Sequence, residues 1–127
     1  KTGKGYVSTE TGVLKDQPYG FNTRFEDGKG TNPEELIGAA HASCFSMALS
    51  MILGEKGLQA DSIETKATVS LEKKDAGFEV TKVHLDLTAS VPGADKVSFD
   101  ECAKTAKENC PISKLLNAEI TMDAKLV

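Results

Sequence analysis

An α+β fold is what this sequence of 127 residues predicts. Three observations carry the prediction. Alternating apolar and polar runs, the mark of half-buried strands, come in groups near the start, middle and end of the chain. Two helix-opening signals stand between those groups. One stretch, Leu36 to Leu53, is apolar on nearly every side. Strands grouped between helices give a largely antiparallel sheet, and a helix apolar all round has to be buried.

Residues 4–26 read as β-rich. Gly5 to Thr9 and Gly12 to Leu14 are the first two runs, and Tyr19 to Phe25 is the third, with Gly12 and Pro18 supplying turns. In the third run Phe21, Thr23 and Phe25 alternate with Asn22, Arg24 and Glu26, a strand pattern that puts Arg24 on the polar face. Asp27-Gly28-Lys29-Gly30 is a connector. Asn32 then caps a helix, Pro33 suits its first position, and Glu35 completes a capping-box arrangement. That helix should run to about Leu53, with Gly54 and Gly57 stopping it. Gly38 and several alanines allow another backbone to approach it closely. A domain of this size would struggle to wrap such a helix alone, so a second copy of the chain is expected to cover it.

Ile63, Ala67, Val69 and Leu71 form one face of a strand, and Lys73 to Gly77 is a hairpin turn. The returning strand carries Val83, Leu85, Leu87, Ala89 and Val91. Phe78 and Val80 are out of phase with that set, which predicts a bulge near Thr81. Pro92-Gly93 ends it. Ser98 with Glu101 resembles a capping box opening a helix with the stripe Phe99, Cys102, Ala103 and Ala106. Pro111 interrupts that helix, Ile112 to Leu116 is a short further turn, and Ile120 to Leu126 is a closing strand.

Composition excludes several classes. A formal charge of −4 with scattered lysines and arginines argues against a nucleic-acid partner. Three cysteines without a CxxC spacing, and only two histidines, fit neither a secreted disulfide scaffold nor a structural zinc site. No metal and no cofactor are expected. No signal peptide is visible. The Leu36–Leu53 stretch is long enough to suggest a membrane span, but His41, Ser43, Ser46 and Ser50 favour a core helix. The expectation is one soluble, cytoplasmic domain over residues 1–127.

A free thiol with a pKa near 8.5 is mostly protonated at neutral pH, so a catalytic cysteine needs its pKa lowered. Cys110 precedes Pro111, which would put its thiol at the N-terminus of a short helix, where backbone N–H groups favour a thiolate. Cys44 lies mid-helix and would need an imported cation, for which Arg24 is the best candidate. The bland alternative for Cys44 is a small hydrophobe in an alanine-rich helix. Cys102 falls on an apolar stripe and reads as core. His41 is one turn before Cys44 and could polarise its thiol or be a hydrogen-bonded structural histidine. His84 shares a polar strand face with Lys82 and Asp86 and reads as solvated.

The run from Gly30 to Ala48, with Asn32-Pro33-Glu34-Glu35 at its start and His41-Ala42-Ser43-Cys44-Phe45-Ser46-Met47 at its centre, closely resembles the helix of the OsmC/Ohr family. Cys110-Pro111-Ile112-Ser113 is similar to that family's second cysteine motif. Ser8 to Leu14 and Pro18 to Phe25 resemble its osmotically inducible OsmC branch. The resemblance spans essentially the whole chain, and the family pattern has a first strand that would precede Lys1. It implies an intertwined homodimer, with sheets wrapped around central helices, and a peroxidase that reduces organic hydroperoxides better than hydrogen peroxide. The attacking cysteine falls on Cys44, the second cysteine on Cys110, the active-site arginine on Arg24 and the glutamate on Glu34. Cys44 sulfenic acid and a Cys44–Cys110 disulfide follow as intermediates, reduced by an external dithiol, which the family suggests is a dihydrolipoyl protein or similar.

The planar fork of Arg24 suits the Glu34 carboxylate. Ten helical residues separate Glu34 from Cys44 by about 15 Å, so the two cannot meet on one straight helix. Glu34 is therefore expected from the second subunit; whether Arg24 comes with it stays open. A non-catalytic redox sensor or osmotic-stress binding protein would use the same cysteines without turnover, and an interaction module would use them only as structure.

Overall fold

The structure, a computed structural model, describes residues 2–127. The chain divides into two compact units, Lys1–Leu36 and Ile37–Val127.

In the first unit, strands β1 (Lys4–Val7) and β2 (Gln17–Gly20) pair antiparallel. The segment predicted to continue as a strand is instead a short helix, α1 (Phe21–Phe25). An alternation six residues long cannot separate a strand from one helical turn, and Thr23 decides between them. Its hydroxyl accepts from the Gly20 N–H at 2.9 Å and donates to the Gly20 carbonyl at 3.0 Å. That local ring captures the backbone before a ladder can form. Phe21 and Phe25, four apart, then bring their rings to 5.0 Å between centroids. The predicted Gly12–Leu14 strand is a turn, closed by Thr9 N–H donating to the Leu14 carbonyl at 2.9 Å.

Helix α2 (Pro33–Glu55) begins in the first unit and continues through the second. Asn32 Oδ1 accepts from Glu35 N–H at 2.8 Å, as its capping role requires, while the Glu35 carboxylate takes the Thr31 hydroxyl at 2.7 Å. At the other end Gly54 lies inside the helix, and Gly57 is the stop. Gly57 has φ +75°, its N–H donates to Gly54 at 3.0 Å, and Leu58 N–H reaches back to Leu53 at 2.9 Å. This paired closure needs a left-handed residue, which glycine adopts without strain.

The second unit is built on strands β3 (Ser62–Lys74), β4 (Gly77–Ser90) and β5 (Glu119–Leu126), in the order β3-β4-β5. β3 and β4 are an antiparallel hairpin, and the register passes from Ser70↔Lys82 to Leu71↔Val80, leaving Thr81 as the extra residue of the predicted bulge. β5 pairs parallel to β4, so this sheet is mixed rather than wholly antiparallel. Connectivity allows this: the chain crosses over through two helices before β5, the length of connection that a parallel pair needs.

Those helices are α3 (Lys96–Asn109) and α4 (Pro111–Leu115). α3 opens earlier than the Ser98 signal indicated, because Asp95 caps it by accepting from Ser98 N–H at 2.7 Å. Ser98 is the capped residue, not the cap. Val83, Leu85, Leu87 and Ala89 of β4 join Phe45, Leu49 and Leu53 of α2 and Phe99, Cys102, Ala103 and Ala106 of α3 in one core. One face of the sheet therefore carries both helices. By length and composition α2 could cross a membrane, yet the side bearing Gly38, His41, Phe45, Leu49 and Leu53 is buried in protein. Met47 and Met51 on the same helix are 74% and 63% exposed.

Candidate active site: a cysteine pair beside an apolar groove

Cys110 stands at a joint. It closes α3, its N–H donating to the Ala106 carbonyl at 2.9 Å, and it opens α4, its carbonyl accepting from Lys114 N–H at 3.1 Å. Pro111 has no N–H to leave unpaired, so Ile112 supplies the first free amide of α4. The Ile112 amide and the Cys110 thiol are the two neighbours that act on the Cys44 thiol. Cys110 is fully buried, whereas Cys44 is half-buried. All three cysteines are free thiols.

Beside Cys44 lies an open groove of about 700 Å3, lined mainly by apolar atoms of Met47, Ala48, Met51, Ile52, Pro111 and Ile112. Burial pushes the Cys44 thiol above its ordinary pKa; the Ile112 amide pulls it down, and the neighbouring Cys110 thiol pushes it up again. None of these influences is a positive charge. A thiolate here needs one.

Arg24 and Glu34 form such a charged assembly within the first unit. Arg24 Nε and Nη2 donate to the two Glu34 carboxylate oxygens, each at 2.8 Å. Arg24 sits on α1 rather than on a strand face, and its guanidinium carbon lies 5.5 Å from the Phe25 ring centre. Asn32 ties the two elements together, since Nδ2 donates to the Thr23 carbonyl at 3.0 Å while Oδ1 caps α2. The Glu34 hydrogen bonds hold Arg24 above its ordinary pKa, against a smaller lowering by burial. The arginine is a permanent cation in a fixed orientation.

His41 is fully buried, and its Nε2 lies 2.7 Å from Ser113 Oγ, with burial lowering its pKa. Of the two readings open for it, the hydrogen-bonded one is what the geometry holds. Cys102 is buried in the core as expected. His84, expected to be solvated, is held: Nδ1 meets Thr121 Oγ1 at 2.7 Å, and Nε2 lies 3.2 Å from Asp123 and 3.3 Å from Asp86. The parallel register sets Thr121 opposite His84 and Asp123 opposite Asp86, which a reading of β4 alone could not see. These three titratable side chains offer ligand atoms within 4.8 Å of one another. Sequence reasoning also missed the roles of Ile112 and Ser113, although both lie inside the quoted cysteine motif.

The family model described as OsmC-like protein matches residues 26–125. The chain belongs to the OsmC-like family. Among its relatives, the peroxiredoxin OsmC of Escherichia coli (strain K12) is 63% identical over 126 residues, covering 99% of this chain and 88% of that one. The organic hydroperoxide resistance protein OhrB of Bacillus subtilis (strain 168) is 30% identical over 123 residues, covering 96% and 88%. The crystal structure of OhrB from Bacillus subtilis superposes with a TM-score of 0.75 over 95% of this chain and 90% of that one, at 30% identity. The organic hydroperoxide resistance protein OsmC from Legionella pneumophila gives 0.76 over 95% and 88% at 26% identity. The mixed α+β architecture is thus that of solved OsmC-like proteins.

Proposed function

We propose that the chain is a thiol-dependent peroxidase that reduces organic hydroperoxides. The observation that carries the reading is a half-buried thiol, Cys44, opening on an apolar groove with a second thiol, Cys110, against it. The relatives named as a peroxiredoxin and as organic hydroperoxide resistance proteins point to the same chemistry.

Cys44 thiolate attacks one peroxide oxygen in line, the O–O bond breaks, and the other oxygen leaves as alkoxide and takes a proton to become the alcohol. Cys44 is left as sulfenic acid. The Cys110 sulfur attacks it, water leaves, and a disulfide forms. An external dithiol then returns both thiols and is itself oxidised to a disulfide; a dihydrolipoyl protein has the required chemistry. A reduced, cytoplasmic setting suits this cycle, which runs on thiols. The apolar lining favours alkyl or aryl peroxides over hydrogen peroxide, because only the former fill it.

Arg24 is the cation we assign to this chemistry. It favours the thiolate and then the oxygens as the O–O bond stretches, and Glu34 aims its guanidinium. Helix α2 is continuous over Glu34 and Cys44, and ten residues of helix span about 15 Å. The Arg24–Glu34 pair that serves Cys44 is therefore taken from a second copy, in a homodimer that covers Met47 and Met51 as one catalytic domain per chain. Multiple turnover of an alkyl hydroperoxide with dihydrolipoamide, lost in Cys44→Ser, tests the reading. A single stoichiometric reaction with no turnover under any dithiol would establish a sensor instead. Equal efficiency with hydrogen peroxide would remove the role given to the groove.

A further inference from the structure

The imidazole of His41 does not line the groove, yet it is a fully buried polar side chain one turn before Cys44. Among the described residues its hydrogen-bond partner is the Ser113 hydroxyl, 72 residues away in sequence, at 2.7 Å. Its Nδ1 is buried with no partner among the described residues. An orphaned acceptor is tolerated better than an orphaned donor. The proton is therefore assigned to Nε2, which donates to Ser113 Oγ, with the ring neutral. Burial acts in the same direction.

Ser113 belongs to the first turn of α4, directly after Ile112 and three residues after Cys110. That turn is short. It has five residues, none of them buried, and Pro111 contributes no amide. A part-buried hydrogen bond ties it to α2, beside the packing of Ile112 against the core.

We infer that His41 and Ser113 are positioning residues, a clamp between α2 and α4 that sets the Ile112 amide and the Cys110 thiol against the sulfur of Cys44. The inference rests on the peroxidase reading for its biological meaning, but not for its geometry. With the clamp intact, the amide donates to the thiolate and the second thiol waits within reach of the sulfenic acid. With it broken, α4 is free to turn, and both alignments are lost together.

The test uses the full-length protein and Ser113→Ala, which deletes the hydroxyl with little change in volume. Ser113→Thr restores it. The readout is the rate of alkylation by iodoacetamide against pH, followed at the Cys44 peptide by mass spectrometry. Ser113→Ala should move the midpoint up by about one pH unit, roughly a tenfold loss of rate at neutral pH, and Ser113→Thr should recover most of it. After one equivalent of peroxide, sulfenic acid trapped by dimedone should persist several-fold longer in Ser113→Ala than in the wild type. Circular dichroism checks that the variant is folded. A wild-type midpoint in folded Ser113→Ala overturns the clamp, and so does a shift that Ser113→Thr fails to rescue, which would mark packing rather than the hydroxyl. Failure of the peroxidase reading shows separately, as absence of turnover in the wild type with its alkylation profile unaltered.

Discussion

Replacing Arg24 by lysine and by alanine separates what its charge does from what its shape does. The guanidinium makes two parallel bonds of 2.8 Å to Glu34. Lysine keeps the charge but offers one nitrogen, so one charge-assisted bond and the fixed plane are lost. Such bonds are worth about 1.5–3 kcal/mol when dry. Arg24 is 34% exposed, so solvent brings the loss toward ~1.4 kcal/mol, a tenfold effect. Alanine removes the charge. A unit charge ~4 Å from a thiolate, at an effective dielectric of ~20, interacts by about 4 kcal/mol, and screening at a wet site cuts this to roughly half. The sign follows from the chemistry: a thiol becomes charged on losing its proton, so removing a nearby cation raises its pKa and moves reactivity to higher pH. Arg24→Ala should therefore shift the Cys44 alkylation midpoint up by about 1.5 units and lower kcat/KM for an alkyl hydroperoxide by more than about a hundredfold. Arg24→Lys should hold the midpoint within about half a unit and lose about tenfold in kcat/KM. Steady-state assays with dihydrolipoamide across pH 5–9, beside the alkylation profile, measure both. An Arg24→Lys enzyme within about twofold of wild type, or an unmoved midpoint in Arg24→Ala, would refute the reasoning.

Cys110→Ser should still consume one equivalent of peroxide per chain and then stop, seen as a burst without steady state; continued turnover would remove its resolving role. Cys102→Ser places a hydroxyl in an apolar core and should cost about 1–2 kcal/mol in urea unfolding, with kcat unchanged. His41, held neutral by burial, binds protons less readily folded than unfolded. Stability should be full above about pH 6.5, the unfolded pKa, and fall as pH drops below it by up to ~1.4 kcal/mol per unit until the folded pKa is reached. Urea midpoints at pH 7.5 and 5.5, with and without His41→Asn, report this term. At Gly38 a Cβ would stand 3.3 Å from the Ala67 carbonyl, so Gly38→Val should force α2 from β3 and cost about 2 kcal/mol, read as a lowered Tm.

Where the sequence was legible, the cause was local. Asn32-Pro33 announces α2 because capping is decided within four residues, and the phase break at Thr81 announces the bulge because side-chain alternation is counted along one strand. The apolar stripe of α3 was visible for the same reason. Phe21 to Glu26 misled because a six-residue alternation was overruled by one hydroxyl, that of Thr23, folding back on Gly20. The direction of β5 was not legible, since pairing partners are chosen by the sheet and not by Ile120 to Leu126 themselves. For the same reason His84 looked solvated when read from β4 alone. Cys44 and Cys110 were legible through their motifs, and the Ser113–His41 bond was not, because its halves lie 72 residues apart.

The unequal exposure of the two sulfurs gives the redox cycle a direction. Once they are bridged, an incoming reductant meets only the end that looks onto the groove, because the Cys110 end has no accessible surface. Under the proposed cycle, regeneration would proceed through a mixed disulfide on Cys44, with Cys110 as the group expelled. Trapping the adduct with a monothiol should label Cys44 alone, so each sulfur keeps a fixed part through both halves of the cycle.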